Sequence, residues 1–105
     1  MTHFAADDAG FGVRARDALT VLSARPGFVR GTLGRSTDDE SAWVLVTEWR
    51  NVGSYRRALG NVEVKLRAAP LLGEALDLPS SFEPLVDMHG GATTVSASDR
   101  ATDTA

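Results

Sequence analysis

The order of local patterns in this chain predicts an α+β domain with the plan β-α-β-β-α-β. Three observations carry that expectation. Residues 28–35 and 42–50 read as two strands joined by a short polar loop, which makes an antiparallel hairpin. Helical periodicity precedes the hairpin and resumes after it. A last extended stretch, residues 81–88, closes the series. In this ferredoxin-like plan the helices cover one face of an antiparallel four-stranded sheet.

The elements follow in order. Met1 to Ala5 supplies a short first strand. A helix is expected from Asp7, where Asp7 and Asp8 suit the positive N-terminal end. Phe11, Ala15, Ala18 and Leu22 recur at steps of four and three and form its apolar face. "RPG" ends it: Pro26 disfavours a helical Arg25, and Gly27 permits a turn. In the second hairpin strand, Trp43, Leu45, Thr47 and Trp49 share one face, and Val44, Val46 and Glu48 the other.

Asn51 is placed to cap a short helix with Val52, Tyr55 and Leu59 on one side. Asn61 is placed to cap the next, with Val62, Leu66 and Ala69 along its face. Pro70 should break that helix, and "LLGEAL" should continue it. Pro84 cannot donate to a ladder, so strand 81–88 belongs at an edge or contains an irregularity. The domain is thus expected to span residues 1–88. Residues 89–105 are small and polar, the composition of a disordered tail.

Apolar residues on both sides of the hairpin raise the question of what covers the second face. The expected cover is the same sheet of a second copy, giving a homodimer through the sheet face.

Composition sets the outer limits. The chain has 105 residues, 43% apolar and 24% charged, which is ordinary for one globular domain. A net charge of −3 argues against a general nucleic-acid surface. The lack of cysteine excludes disulfides, thiolate catalysis and Cys-based zinc sites. No apolar run approaches the ~20 residues that span a bilayer. The opening "MTHFAADDAG" lacks the features of a signal peptide, so a cytoplasmic location, with no membrane partner, is expected.

"RPGFVRGTLGRSTDDESAWVLVTEWRNVGSYRRAL" resembles the core of the antibiotic biosynthesis monooxygenase (ABM) domain family. The shared pattern is a "PG" turn, a strand, a polar loop with an acidic pair and a strand ending in Trp. A short helix with an aromatic residue follows, here Tyr55 after Trp49. By order of elements the resemblance covers residues 6–88. It implies a ferredoxin-like subunit that dimerises into an α+β barrel. It also implies small oxygenases, some of which oxidise aromatic phenols or quinols without metal, flavin or haem. The family's first strand is usually longer than "MTHFA", so the expectation is either a chain that begins inside that strand or a shortened, damaged sheet. The haem-degrading branch uses a His on the long helix and a Trp on the short one. Neither is present in "VEVKLRAAPLLGEAL" or "VGSYRRALG", which argues against haem degradation.

Candidate site residues follow, each with a plainer reading beside it. Trp49 and Tyr55 could wall a pocket for a flat aromatic substrate, with the Tyr55 hydroxyl bonding a phenolate. Core packing explains both as well. Trp43 shares the Trp49 face as a further substrate contact, or packs in a core or interface. Arg67 is a candidate to stabilise an anionic intermediate, though a helix arginine is usually solvated. His3 could enter the pocket as a base, or fray with the terminus. His3 and His89 lie too far apart in sequence to read as a metal site, and no metal or cofactor is expected. Asp38, Asp39 and Glu40 read as loop chemistry.

The function expected from the resemblance is a cofactor-independent monooxygenase acting with O₂ on an aromatic phenol, anthrone or quinol. The alternative is a non-catalytic dimeric barrel that binds a hydrophobic small molecule.

Overall fold

The computed structural model describes residues 1–97. The elements are β1 (Thr2–Ala5), α1 (Phe11–Ser23), β2 (Phe28–Arg35), β3 (Ala42–Trp49), α2 (Val52–Leu59), α3 (Val62–Arg67), α4 (Ala69–Leu72), β4 (Val86–His89) and β5 (Ala92–Val95). The architecture is α+β, as the sequence predicts. The main sheet has the order β1-β3-β2, with all pairs antiparallel.

The registers fix the two faces. Phe4 lies opposite Trp43, and Leu33 opposite Leu45, on the side that the helices cover. His3 pairs with Val44 and Thr32 with Val46 on the open side. The alternation expected along β3 is therefore present, with the odd positions turned toward the helices.

α1 buries the predicted line: Phe11, Ala15, Ala18 and Leu22, joined by Val21. Alanine at two of these positions lets the helix approach the sheet closely, and Phe4, Phe11, Leu45 and Leu71 fill the space around it. Each large side chain fully buried here contributes about 1.5–3 kcal/mol relative to exposure. The helix begins at Phe11 rather than Asp7, after a turn closed by Phe11 N–H on the Asp8 carbonyl, 3.2 Å.

Both asparagine caps form. Asn51 Oδ1 accepts from Ser54 N at 2.8 Å, and Asn61 Oδ1 from Val64 N at 3.3 Å. The α3 face differs from the expected one. Val62 and Leu66 are exposed, while Val64, Ala68 and Leu71 point into the core. The segment is apolar on both flanks, and the flank that α1 meets is the one buried. Pro70 breaks the helix as expected, and α4 restarts around it. Helix does not continue through "LLGEAL": it stops at Leu72, and Glu74 N–H turns back to the Leu71 carbonyl, 2.9 Å.

The fourth strand is where the structure departs most from expectation. The place beside β1 is taken by an irregular run instead. Leu76 N–H donates to the His3 carbonyl at 2.8 Å, and the Met1 ammonium to the Ser80 carbonyl at 2.6 Å. Pro79 and Pro84 have no N–H to offer a ladder there. β4 begins only after Pro84 and pairs with β5, so residues 81–85 are not strand. The two-residue turn is Gly90–Gly91, with φ of 56° and 89°, the backbone that a tight hairpin requires. His89 and Ala92–Val95, expected in a disordered tail, are thus strand residues. The rest of that tail beyond residue 97 lies outside the described residues. Among the described residues no helix is long and apolar enough to cross a membrane.

Candidate functional site

The end of β3 and the start of α2 build an aromatic cluster on the helix side of the sheet. Trp49 closes the strand, and its Nε1–H donates to Thr47 Oγ1 at 2.9 Å. That bond follows from the period of the strand, which puts residues two apart on the same face. Phe28 meets Trp49 edge-on, with ring centroids 5.2 Å apart at 88°. Tyr55 lies against Trp49 with ring centroids 5.6 Å apart at 49°. Both are ordinary favourable aromatic geometries.

Tyr55 is only part-buried, and its hydroxyl makes no hydrogen bond to any described residue. Burial pushes its phenol above the ordinary tyrosine value. At neutral pH it is therefore a neutral O–H, free to donate to an oxygen placed beside the Trp49 ring.

Three hydrogen bonds hold this arrangement. Arg50 N–H donates to the Gly27 carbonyl at 2.7 Å, so the "PG" turn is fixed to the end of β3. Ser54, 4% exposed, is the buried polar residue among those described. Its Oγ donates to Asn51 Oδ1 at 3.0 Å and accepts from Arg57 Nη2 at 3.3 Å.

Trp43 stands at the far end of β3, roughly 20 Å from Trp49 at ~3.3 Å per residue. Leu45 is buried between them. The two tryptophans therefore share a face but stand at opposite ends of the strand. Trp43 packs on Phe11 at 5.2 Å between centroids, and the Arg35 guanidinium lies 5.2 Å over its ring. It also lines a cavity of about 280 Å³ with Asp7, Asp8, Gly12, Arg35 and Glu40. The Trp43 Nε1–H is buried without an acceptor from the described residues.

The other candidates fall elsewhere. His3 belongs to the open face of the sheet, opposite the aromatic cluster. Arg67 is exposed on α3 and pairs with Glu63 at 3.7 Å, one turn away, so it has no contact with the cluster. The solvated reading of a helix arginine describes its place. Asp39 acts within its own loop: its Oδ1 accepts from Ser41 N–H and Oγ–H at 2.9 and 2.7 Å, which holds its carboxyl below the usual range. Among the described residues no group of three His, Asp or Glu is placed to hold a metal ion.

Sequence reasoning missed Phe28, Ser54 and Arg35. Phe28 follows the "PG" turn directly and starts the strand that pairs with β3, which was a usable signal. Ser54 carried a local one, since it stands three residues after the Asn51 cap.

The family model for antibiotic biosynthesis monooxygenase matches residues 2–66. The chain belongs to this family. The matched span holds the whole aromatic cluster and stops one residue before Arg67. Comparison with curated proteins gave no match. Among solved structures the ABM chain resembles a single-site variant of SnoaB, a cofactor-independent oxygenase from Streptomyces nogalater. The identity is 26%, the TM-score 0.64, and the match covers 71% of this chain and 79% of that one. A second SnoaB structure is 23% identical with a TM-score of 0.63, over 79% of this chain and 92% of that one. A conserved protein from Methanosarcina mazei Go1 shares the fold at 16% identity and a TM-score of 0.60, over 74% and 79%.

Proposed function

We propose that this ABM protein is a small oxygenase that oxidises an electron-rich aromatic phenol, anthrone or quinol with O₂, without an added cofactor. The observation that carries the reading is the Tyr55 ring beside Trp49, with a hydroxyl that makes no hydrogen bond to the described residues. Family membership and the likeness to a cofactor-independent oxygenase support it.

The chemistry asks little of the protein. An anthrone loses a proton from its central CH₂ to give an anion. One electron passes from the anion to O₂, and the carbon radical and superoxide combine into a peroxide. Loss of the second proton from that carbon breaks the O–O bond, leaving a quinone carbonyl and water. The substrate supplies all the electrons. The protein's part is to hold the ring, exclude water and stabilise the anion. Trp49 offers a face for stacking, and the Tyr55 O–H a donor to the anionic oxygen.

The working unit in this reading is a homodimer. The open sheet face, with His3, Thr32, Gly34, Val44 and Val46, would meet its counterpart from a second copy.

Oxygen uptake by dialysed, chelator-treated protein tests the proposal against a panel of anthrones and quinols. Turnover that drops in a folded Tyr55→Phe variant supports it. Tight binding of the same compounds with no uptake of O₂ would return the chain to a binding role.

A further inference from the structure

We propose that Ser54, seated in the space left by Gly27, is the residue that positions Tyr55 over Trp49. The inference rests on the reading above for its functional meaning, but its geometry stands alone.

Ser54 needs no burial for its own hydrogen bonds, since Asn51 and Arg57 are on the same helix and both exposed. What buries it is the "PG" turn. Gly27 has φ of 87°, a backbone that side-chain-bearing residues rarely adopt. A Cβ built there would overlap the Cβ and Oγ of Ser54. The turn and the helix therefore approach as closely as they do because residue 27 has no side chain and residue 54 has a short one. The same turn accepts the hydrogen bond from Arg50, next to Trp49. One loop thus holds the strand end that carries Trp49 and the helix turn that carries Tyr55. Their separation is set at Gly27, through Ser54.

The molecule offers a direct readout, because Tyr55 is its one tyrosine. Phenolate absorbance during an alkaline titration reports Tyr55 alone. Gly27→Ala should push α2 outward, expose Tyr55 and move its midpoint down toward the ordinary tyrosine value. Ser54→Val should do the same from the other side, with the Gly27 backbone unchanged. Turnover should fall roughly a hundredfold in each, the scale for a misplacement near 1 Å.

The decisive arm is rescue. With Ser54→Gly in the Gly27→Ala background, the nearest Ser54 atom left to the new Cβ is the Cα, 3.8 Å away, an ordinary contact. The double variant should recover the high midpoint. Backbone strain at position 27 alone would not be relieved this way. If Gly27→Ala fails to fold, Ser54→Val carries the test. A folded Gly27→Ala or Ser54→Val protein with the wild-type midpoint overturns the proposal, and so does failure of Ser54→Gly to restore it. Midpoints that move and recover in a protein with no turnover on any substrate uphold the positioning role and overturn the oxygenase reading instead.

Discussion

Trp49 and Tyr55 lie with ring centroids 5.6 Å apart, at 49° to one another, across the junction of β3 and α2. The strand ends with its indole tied to Thr47, and the helix begins under an Asn51 cap. Nothing from the described residues takes the Tyr55 hydroxyl. A part-buried phenol beside an aromatic wall is the feature from which the functional account grows.

Removing the hydroxyl should separate chemistry from packing. Tyr55→Phe keeps the ring on Trp49 and deletes one donor to a developing anion. We expect kcat to fall roughly a hundredfold, in line with the loss of one such donor, with KM little changed. Trp49→Ala should act mainly on KM, because it removes the stacking face in substrate and transition state alike. Steady-state oxygen uptake on folded variants checks both.

Tyr55 also sets an alkaline limit. Its folded pKa is raised by burial, so the folded state holds the phenolic proton more tightly than the unfolded chain does. The contribution to stability is complete below the ordinary tyrosine pKa. It is lost as pH rises from there through the higher folded value. Thermal melts across that range should show Tm falling in the wild type and falling less in Tyr55→Phe.

The core should be most sensitive at Phe11, which is fully buried and packs on Phe4 at 5.3 Å and Trp43 at 5.2 Å. Phe11→Ala should cost about 3–5 kcal/mol. Urea unfolding measures it, and a loss below about 1 kcal/mol would contradict the core described here.

Asn51→Ala should cost about 1 kcal/mol, the usual value of a helix N-cap. Because Asn51 also accepts from Ser54 Oγ, the variant should lower turnover as well. Asn61→Ala, a cap distant from the cluster in the same terms, should cost comparable stability and leave turnover unchanged.

Removing residues 90–105 deletes β5 and leaves the main sheet intact. β4 and β5 pair with each other, and all their residues are exposed. The Tm of the truncated chain should match that of the full one.

These relationships were unevenly legible in the sequence. The hairpin of β2 and β3 and the buried line of α1 each had one clear period, so their faces could be read directly. α3 carried apolar residues on two flanks, Val62 and Leu66 against Val64 and Ala68, and only contact with α1 decides between them. The β4–β5 hairpin hid in small residues, although "HGGA" spelled its turn. For the site, Trp49 and Tyr55 were visible as a strand end and a helix start in sequence order. Trp43 was not separable from Trp49, because shared strand phase says nothing of distance along the strand. For Arg67 the pattern gave its helix but not the direction of its side chain, which pairs with Glu63. The Gly27–Ser54 contact joins a turn to a distant helix, and no local pattern encodes such a closeness.

The most direct test of the central claim uses isotopic oxygen. Dialysed, chelator-treated protein would be given an anthrone under ¹⁸O₂, beside the Tyr55→Phe variant. The wild type should place one labelled oxygen in the quinone product at a rate the folded variant does not approach. Equal rates for the two proteins, or labelled quinone formed no faster than without protein, would contradict it.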